Sequence, residues 1–181
     1  MDIEARIARL EAESQIRQLI ARYCFTIDER DLPNVAALFT DDAVVRSADG
    51  VMNATGIDAI MEQYQGRFKA LGPGMHFMHD IQIDFVGDGT QEAHGKVAGH
   101  AELERNGKMM MVGLHYRDVY RNTAKGWKFA DRNIHFLYYI DAADYPTIML
   151  QRDRNRAYDS PKPADFPEGL ATWKSYEAAH G

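Results

Sequence analysis

The stretch His100–Asn122, HAELERNGKMMMVGLHYRDVYRN, decides how this chain folds. Asn106-Gly107 interrupts it, and an Asn-Gly pair between two strand-like runs is what a tight hairpin with positive φ at both turn residues requires. Glu92–Asn106 and Lys108–Asn122 therefore read as two antiparallel strands. Outward from this pair, Met75–Val86 precedes across Gly87-Asp88-Gly89, and Gly126–Tyr139 comes next across Thr123-Ala124-Lys125. Four long strands joined by turns make an antiparallel meander.

Upstream the period changes from two to 3.6. Ile16, Leu19, Ile20, Tyr23, Cys24 and Ile27 fall on one helical face, so residues 2–28 read as one helix. Its first turns, through Ile7 and Leu10, are more charged and are expected to project from the core. Asp31-Leu32-Pro33 opens a second helix through Phe39, with Asp31 as N-cap and Pro33 in the first turn. Ala43-Val44-Val45 reads as a short strand, and Thr55-Gly56 leads into a third helix from Ile57 to Leu71, ended by Gly72-Pro73-Gly74. Helices before a meander predict an α+β fold with N-terminal helices packed on a curved, mostly antiparallel sheet. Residues 143–181 carry Pro146, Pro161, Pro163 and Pro167 and then a short helix near Leu170–Ala178. That tail reads as a lid or an oligomer arm on a single domain, 1–181, whose core spans 8–142.

The 181 residues suit one domain, and a 45% hydrophobic content is ordinary for a globular protein. A net charge of −6 argues against nucleic-acid binding. No apolar run approaches the roughly 18–20 residues of a membrane span, and the charged N-terminus lacks a signal-peptide core. Cys24 is the single cysteine, which excludes an intrachain disulfide and makes a reducing cytoplasm the default location. The chain has no CxxC pair, HExxH, GxGxxG or P-loop, so neither a metal nor a nucleotide cofactor is expected.

Asp28 and His76 are the residues with the most chemistry in them. A carboxylate that orients an imidazole makes a general base near neutral pH. Asp28 ends the first helix, where the dipole disfavours an acid unless something offsets it. His76 opens the first long strand and shares a face with Met78, with His79 on the other face. Tyr23 lies five residues before Asp28, about 140° around a helix, so spacing alone does not join them. Arg132 shares parity with Ile134, Phe136 and Tyr138, and an arginine on an apolar face is either paired with an acid or aimed at a ligand. Phe77, Met111, Tyr116, Phe136 and Tyr138 supply large soft surfaces, suited to a core or to a pocket for an aromatic or alicyclic molecule.

Asp31-Leu-x-x-Val-Ala-x-Leu-Phe-Thr-Asp-Asp-Ala43, after a long helix and before His76-Phe77, resembles the SnoaL-like branch of the nuclear-transport-factor-2 superfamily over residues 8–142. Within it the chain looks like the lyases, which include scytalone dehydratase, hexachlorocyclohexane dehydrochlorinase and bile acid 7α-dehydratase. The resemblance implies a cone-shaped α+β barrel with a deep cavity. It implies an Asp-His dyad at Asp28 and His76, with Tyr23, Arg132 and His100 as further catalytic groups. The implied activity is elimination from a hydrophobic cyclic small molecule, without a cofactor, in a homo-oligomer that is a trimer in these lyases. The same fold also serves as the small structural subunit of ring-hydroxylating dioxygenases, as a steroid-isomerase-like enzyme and as a non-catalytic binder of small molecules.

Overall fold

A computed structural model describes residues 2–88, 91–158 and 160–181. The first helix, α1 (Ile3–Asp28), starts at Asp2, whose carboxylate accepts the Ala5 N–H at 2.8 Å. Its buried face runs from Ala12 to Ile27, while Ile3, Ile7 and Leu10 stay exposed, in keeping with the charge of the first turns. Asp31 caps α2 (Leu32–Ala37). This helix is shorter than expected because Phe39 already belongs to β1 (Phe39–Ser47), where it pairs with Phe129. A short strand the sequence did not announce, β2 (Asn53–Thr55), pairs antiparallel with β1. Then come α3 (Ile57–Ala70), β3 (Gly74–Phe85), β4 (Glu92–Arg105), β5 (Lys108–Thr123) and β6 (Gly126–Asp141). The meander stands where it was expected, and Asn106 and Gly107 hold φ values of 55° and 74° in its central turn. Of the turn at Gly87-Asp88-Gly89, Gly89 lies outside the described residues.

The strand order is β2-β1-β6-β5-β4-β3, antiparallel throughout except for the parallel β1–β6 pair. The sheet is curved and does not close on itself. The cone is completed instead by α1, which packs across β3 and β6, and by α3 against β1 and β2. Besides a shift on β1 between Phe39 and Val44, three irregularities in register lie in the meander and govern which of its side chains face inward. Residues 79 and 80 form an extra step between Met78 and Ile81, Ala130 stands extra between Phe129 and Asp131, and Leu137 stands extra between Phe136 and Tyr138. A single extra residue flips the parity of every later position on its strand.

The tail runs beside β6 where the pairing with β1 ends, at Ser47 and Ile134. A 3-10 segment (Ala142–Leu150) seats Ile148 against Tyr138 and Ile140 on the outer sheet face. Arg154–Arg156 then satisfies the free edge: Tyr139 N–H donates to the Arg154 carbonyl at 2.8 Å and Arg156 N–H to the Tyr139 carbonyl at 2.9 Å. Arg154, 2% exposed, pairs through both terminal nitrogens with Glu168 at 2.7 Å. The last helix, α4 (Ala171–His180), buries no side chain.

Candidate functional site

The end of α1 lies over the start of β3, and this joins Asp28 to His76 across 48 residues. Asp28 Oδ1 sits 2.6 Å from His76 Nδ1, and its Oδ2 accepts the backbone N–H of His76 at 2.9 Å. The two side chains are 17% and 19% exposed, so the pair is largely withdrawn from water. A carboxylate that holds Nδ1 as an N–H donor leaves Nε2 with its lone pair. His76 lines the main cavity of the cone with Ile27, Tyr23, Tyr64, Leu114, Tyr116, Ile134 and Phe136. That nitrogen is therefore the one available to a molecule inside.

Tyr23 is 3% exposed, with its ring centroid 6.4 Å from that of His76. Its hydroxyl lies 3.0 Å from that of Tyr64 on α3. Burial first, then the neighbouring Tyr23, holds the Tyr64 phenol well above its ordinary pKa, so it remains a neutral hydrogen-bonding group. Sequence reading missed Tyr64, although its place in the stripe Ile57, Ile60, Met61, Tyr64, Phe68 marked it as inward-facing.

Arg132 is fully buried but does not line the cavity. Its guanidinium carbon lies 4.0, 4.1 and 3.9 Å from the ring centroids of Tyr23, Tyr116 and Phe129. Nε and Nη2 donate to the two carboxylate oxygens of Asp118 at 3.0 and 2.7 Å. Burial opposes its charge, but Asp118 and the facing tyrosines outweigh burial and hold its pKa well above the usual value. Of the two readings open for an arginine on an apolar face, pairing with an acid is the one observed. Asp118 carries the same signal, an acid at the parity of Leu114, Tyr116 and Tyr120, and was missed. Arg132 thus supports the cavity floor from beneath Tyr23 and Tyr116.

Four expected site residues face away from the cavity, and for them the reading is corrected. Ala101 and Val112 point inward, so their neighbours His100 and Met111 point outward. Phe77, next to His76, obeys the same alternation and stacks on His100 at 4.6 Å, with His79 on the other side at 4.8 Å. Tyr138 was placed inside by parity with Phe136, but the extra residue Leu137 turns it out and brings Tyr139 in. Met111 and Tyr138 pack instead under the 3-10 segment. Phe136 and Tyr116 line the cavity.

The cavity measures about 50 Å³. That is well short of the about 150 Å³ that accepts a benzene ring in an engineered core. A ring can enter only if the rim parts. Met52, Arg67 and Leu71 line both this cavity and a second chamber of about 290 Å³, which Ala157 and Tyr158 of the tail also border. The tail thus contributes to the wall of the chamber beside the cavity.

The α+β cone has the nuclear-transport-factor-2-like fold, and an acid-imidazole pair faces its apolar cavity. A model of the SnoaL-like domain matches residues 8–133, and the chain belongs to that family. A scytalone dehydratase-like protein from Novosphingobium aromaticivorans has a similar structure, with a TM-score of 0.69 at 24% identity over 75% of this chain and 91% of that one. A hexachlorocyclohexane dehydrochlorinase from Novosphingobium barchaimii gives 0.69 at 18% identity over 76% and 94%. A Mycobacterium tuberculosis protein of unknown function gives 0.60 at 23% over 72% and 73%. No curated protein sequence matches the chain significantly.

Proposed function

We propose that this protein is a cofactor-independent lyase that eliminates water, or a comparable leaving group, from a hydrophobic cyclic small molecule. The observation that carries the reading is the 2.6 Å contact between Asp28 and His76 Nδ1, with the same imidazole lining an apolar cavity. His76 Nε2 takes a proton from a carbon beside a carbonyl. The C–H electron pair becomes the new double bond as the bond to the leaving hydroxyl breaks, and the imidazolium returns the proton so that water departs. Asp28 fixes the tautomer and stabilises the imidazolium, a service typically worth about 10²–10⁴ in rate. Tyr23, hydrogen-bonded to Tyr64, donates to the carbonyl or to the leaving oxygen, in a dry site where such contacts are strong. Arg132 acts through the Tyr23 and Tyr116 rings rather than on the substrate.

The copies are proposed to associate through the outer sheet face, as the lyase resemblance implies. Met75 and Met109 are about half exposed there, and Leu150 on the covering segment is 87% exposed. Light scattering after gel filtration tests this, and a monomer would refute it. The chemistry is tested without knowing the natural substrate. In D₂O the protein should catalyse deuterium incorporation beside the carbonyl of cyclohexanone and loss of water from 3-hydroxycyclohexanone. His76→Ala and Asp28→Asn should abolish both while leaving the fold intact. Activity of either variant near that of the parent would defeat the assignment.

A further inference from the structure

The chamber at the cavity mouth contains polar groups that the elimination chemistry does not use. Gln63, Arg67, Arg105, Tyr139 and Tyr158 line it, and it shares Met52, Arg67, Leu71 and Tyr139 with the main cavity. Buried polar groups in folded proteins are nearly always hydrogen-bonded, so groups without partners need a reason. Among the described residues, Gln63 Nε2 and the Tyr139 hydroxyl are buried without a hydrogen-bond partner. Tyr139 is 2% exposed, so water does not readily supply the missing partner. The Tyr158 hydroxyl reaches Ser47 Oγ, which donates to Asp49, accepts the Met52 N–H and keeps a further lone pair for it.

The two arginines are equally underused. Arg67 Nη1 meets the thioether sulfur of Met52 at 3.2 Å, a weak acceptor for a cation. Arg105 donates to the Ala157 carbonyl and lies over the Tyr139 ring at 5.8 Å. Neither forms an ion pair among the described residues, whereas the buried Arg132 and Arg154 both pair with acids. Burial, then the charge of Asp49, raises the Tyr158 phenol, and the Ser47 contact, Arg67 and Arg105 work against them. Two guanidinium groups, an amide N–H₂ and two phenols, all able to donate, therefore surround one space. No carboxylate lines that chamber among the described residues, and Asp49, which acts on the Tyr158 hydroxyl from outside the lining, is already paired with Ser47 and Lys162.

We propose that this chamber binds an oxyanion substituent of the substrate, with Arg67 and Arg105 as its charged ligands and Gln63, Tyr139 and Tyr158 as neutral donors. The substrate class is then a ring bearing a carboxylate or phosphoryl group, the ring in the apolar cavity and the anion at the mouth. The inference rests on the lyase reading only for calling the bound molecule a substrate; the anion site itself stands on the donors. Charge-assisted hydrogen bonds of this kind set the expected selectivity at about 10- to 100-fold. An anion arriving at the chamber draws Arg67 away from Met52, which is where the rim must part for the ring to pass.

Ligand-observed NMR titration of the full chain with cyclohexanecarboxylate, cyclohexyl phosphate and neutral cyclohexanecarboxamide tests the proposal. At least one anion should bind about 10-fold or more tightly than the amide, and the better of the two identifies the group. Arg67→Gln with Arg105→Gln should erase the preference, whereas Arg67→Lys should keep part of it, with near-ultraviolet circular dichroism confirming the fold of each. His76→Ala should retain the full preference, so an anion site without lyase activity and lyase activity without an anion site are separate outcomes. Equal binding of anion and amide, a preference that survives the double variant, or no anion binding at tens of millimolar overturns it.

Discussion

Replacing Asp28 with asparagine changes one atom and should remove the base without disturbing the fold. In the parent protein the carboxylate accepts twice, from the His76 backbone N–H at 2.9 Å and from Nδ1 at 2.6 Å. Asparagine offers a single acceptor oxygen. If that oxygen serves the backbone N–H, the side-chain N–H₂ faces Nδ1, which must then accept. The imidazole proton moves to Nε2, and the nitrogen in the cavity can no longer take a proton. If the oxygen serves Nδ1 instead, two donors face one another at the backbone, at a cost of about 1–3 kcal/mol for the unsatisfied N–H. The base-competent arrangement is thus disfavoured by about 5- to 150-fold, since 1.4 kcal/mol is about tenfold. Loss of the negative charge facing the imidazolium adds to this, so the rate should fall by about 10²–10⁴. Nitrogen-15 NMR of labelled histidine reads the tautomer with no substrate present. Nδ1–H in the parent and Nε2–H in Asp28→Asn is the expected result. A variant that keeps Nδ1–H, or keeps cyclohexanone exchange within about threefold, would refute the reasoning.

The geometry sets three further outcomes. Asp118→Leu alone strands Arg132 at 0% exposure and should cost about 3–5 kcal/mol, whereas Asp118→Leu with Arg132→Met should recover most of it, as read by urea unfolding. A cost below about 1 kcal/mol for the single variant would show the pair is not needed. Burial, then Arg117 and His115, presses His135 down to about 4, below its unfolded value of about 6.5. The unfolded chain therefore binds the extra proton, and stability should be full above pH ~6.5 and decline towards pH ~4, by about 1–2 kcal/mol after discounting for solvent screening. An unchanged acid limb in His135→Asn would contradict this. Tyr64→Phe removes the partner of the Tyr23 hydroxyl and should slow exchange about tenfold with little change in binding. An equal loss of cyclohexanone affinity would make Tyr64 a binding contact instead.

Much of the fold was legible because the signals were local. Asn106-Gly107 placed the central hairpin, the Ile16-to-Ile27 stripe placed α1, and the strand limits came within a few residues of those observed. Asp28 and His76 were legible as chemical types, and the family resemblance paired them before any distance was available. Tyr116 was legible because the alternation along β5 from the hairpin to it is regular, and Phe136 lies in the short regular stretch of β6 between the extra residues Ala130 and Leu137.

The misplacements have one physical source. A two-residue period carries information only until a strand takes an extra step, and nothing in the sequence around Leu137 marks such a step. Parity with Phe136 therefore put Tyr138 in the cavity, while the bulge delivered Tyr139 there in its place. The same exchange moved the interest of the site. Tyr139 brings an unpartnered buried hydroxyl to the chamber that Arg67 and Arg105 flank, and Arg67 comes from α3 while Arg105 comes from the far end of β4. Residues on three elements, one of them turned by a bulge, share no spacing that sequence could show. Arg132 failed as a candidate ligand for the opposite reason. Its pattern was read correctly as an arginine on an apolar face, and the acid that claims it, Asp118, sits directly opposite on β5 in the same regular register. Reading facing strands together, rather than one at a time, would have assigned Arg132 to Asp118. Arg67 and Arg105, with no ion pair among the described residues, are set apart from Arg132 by lining the chamber at the cavity.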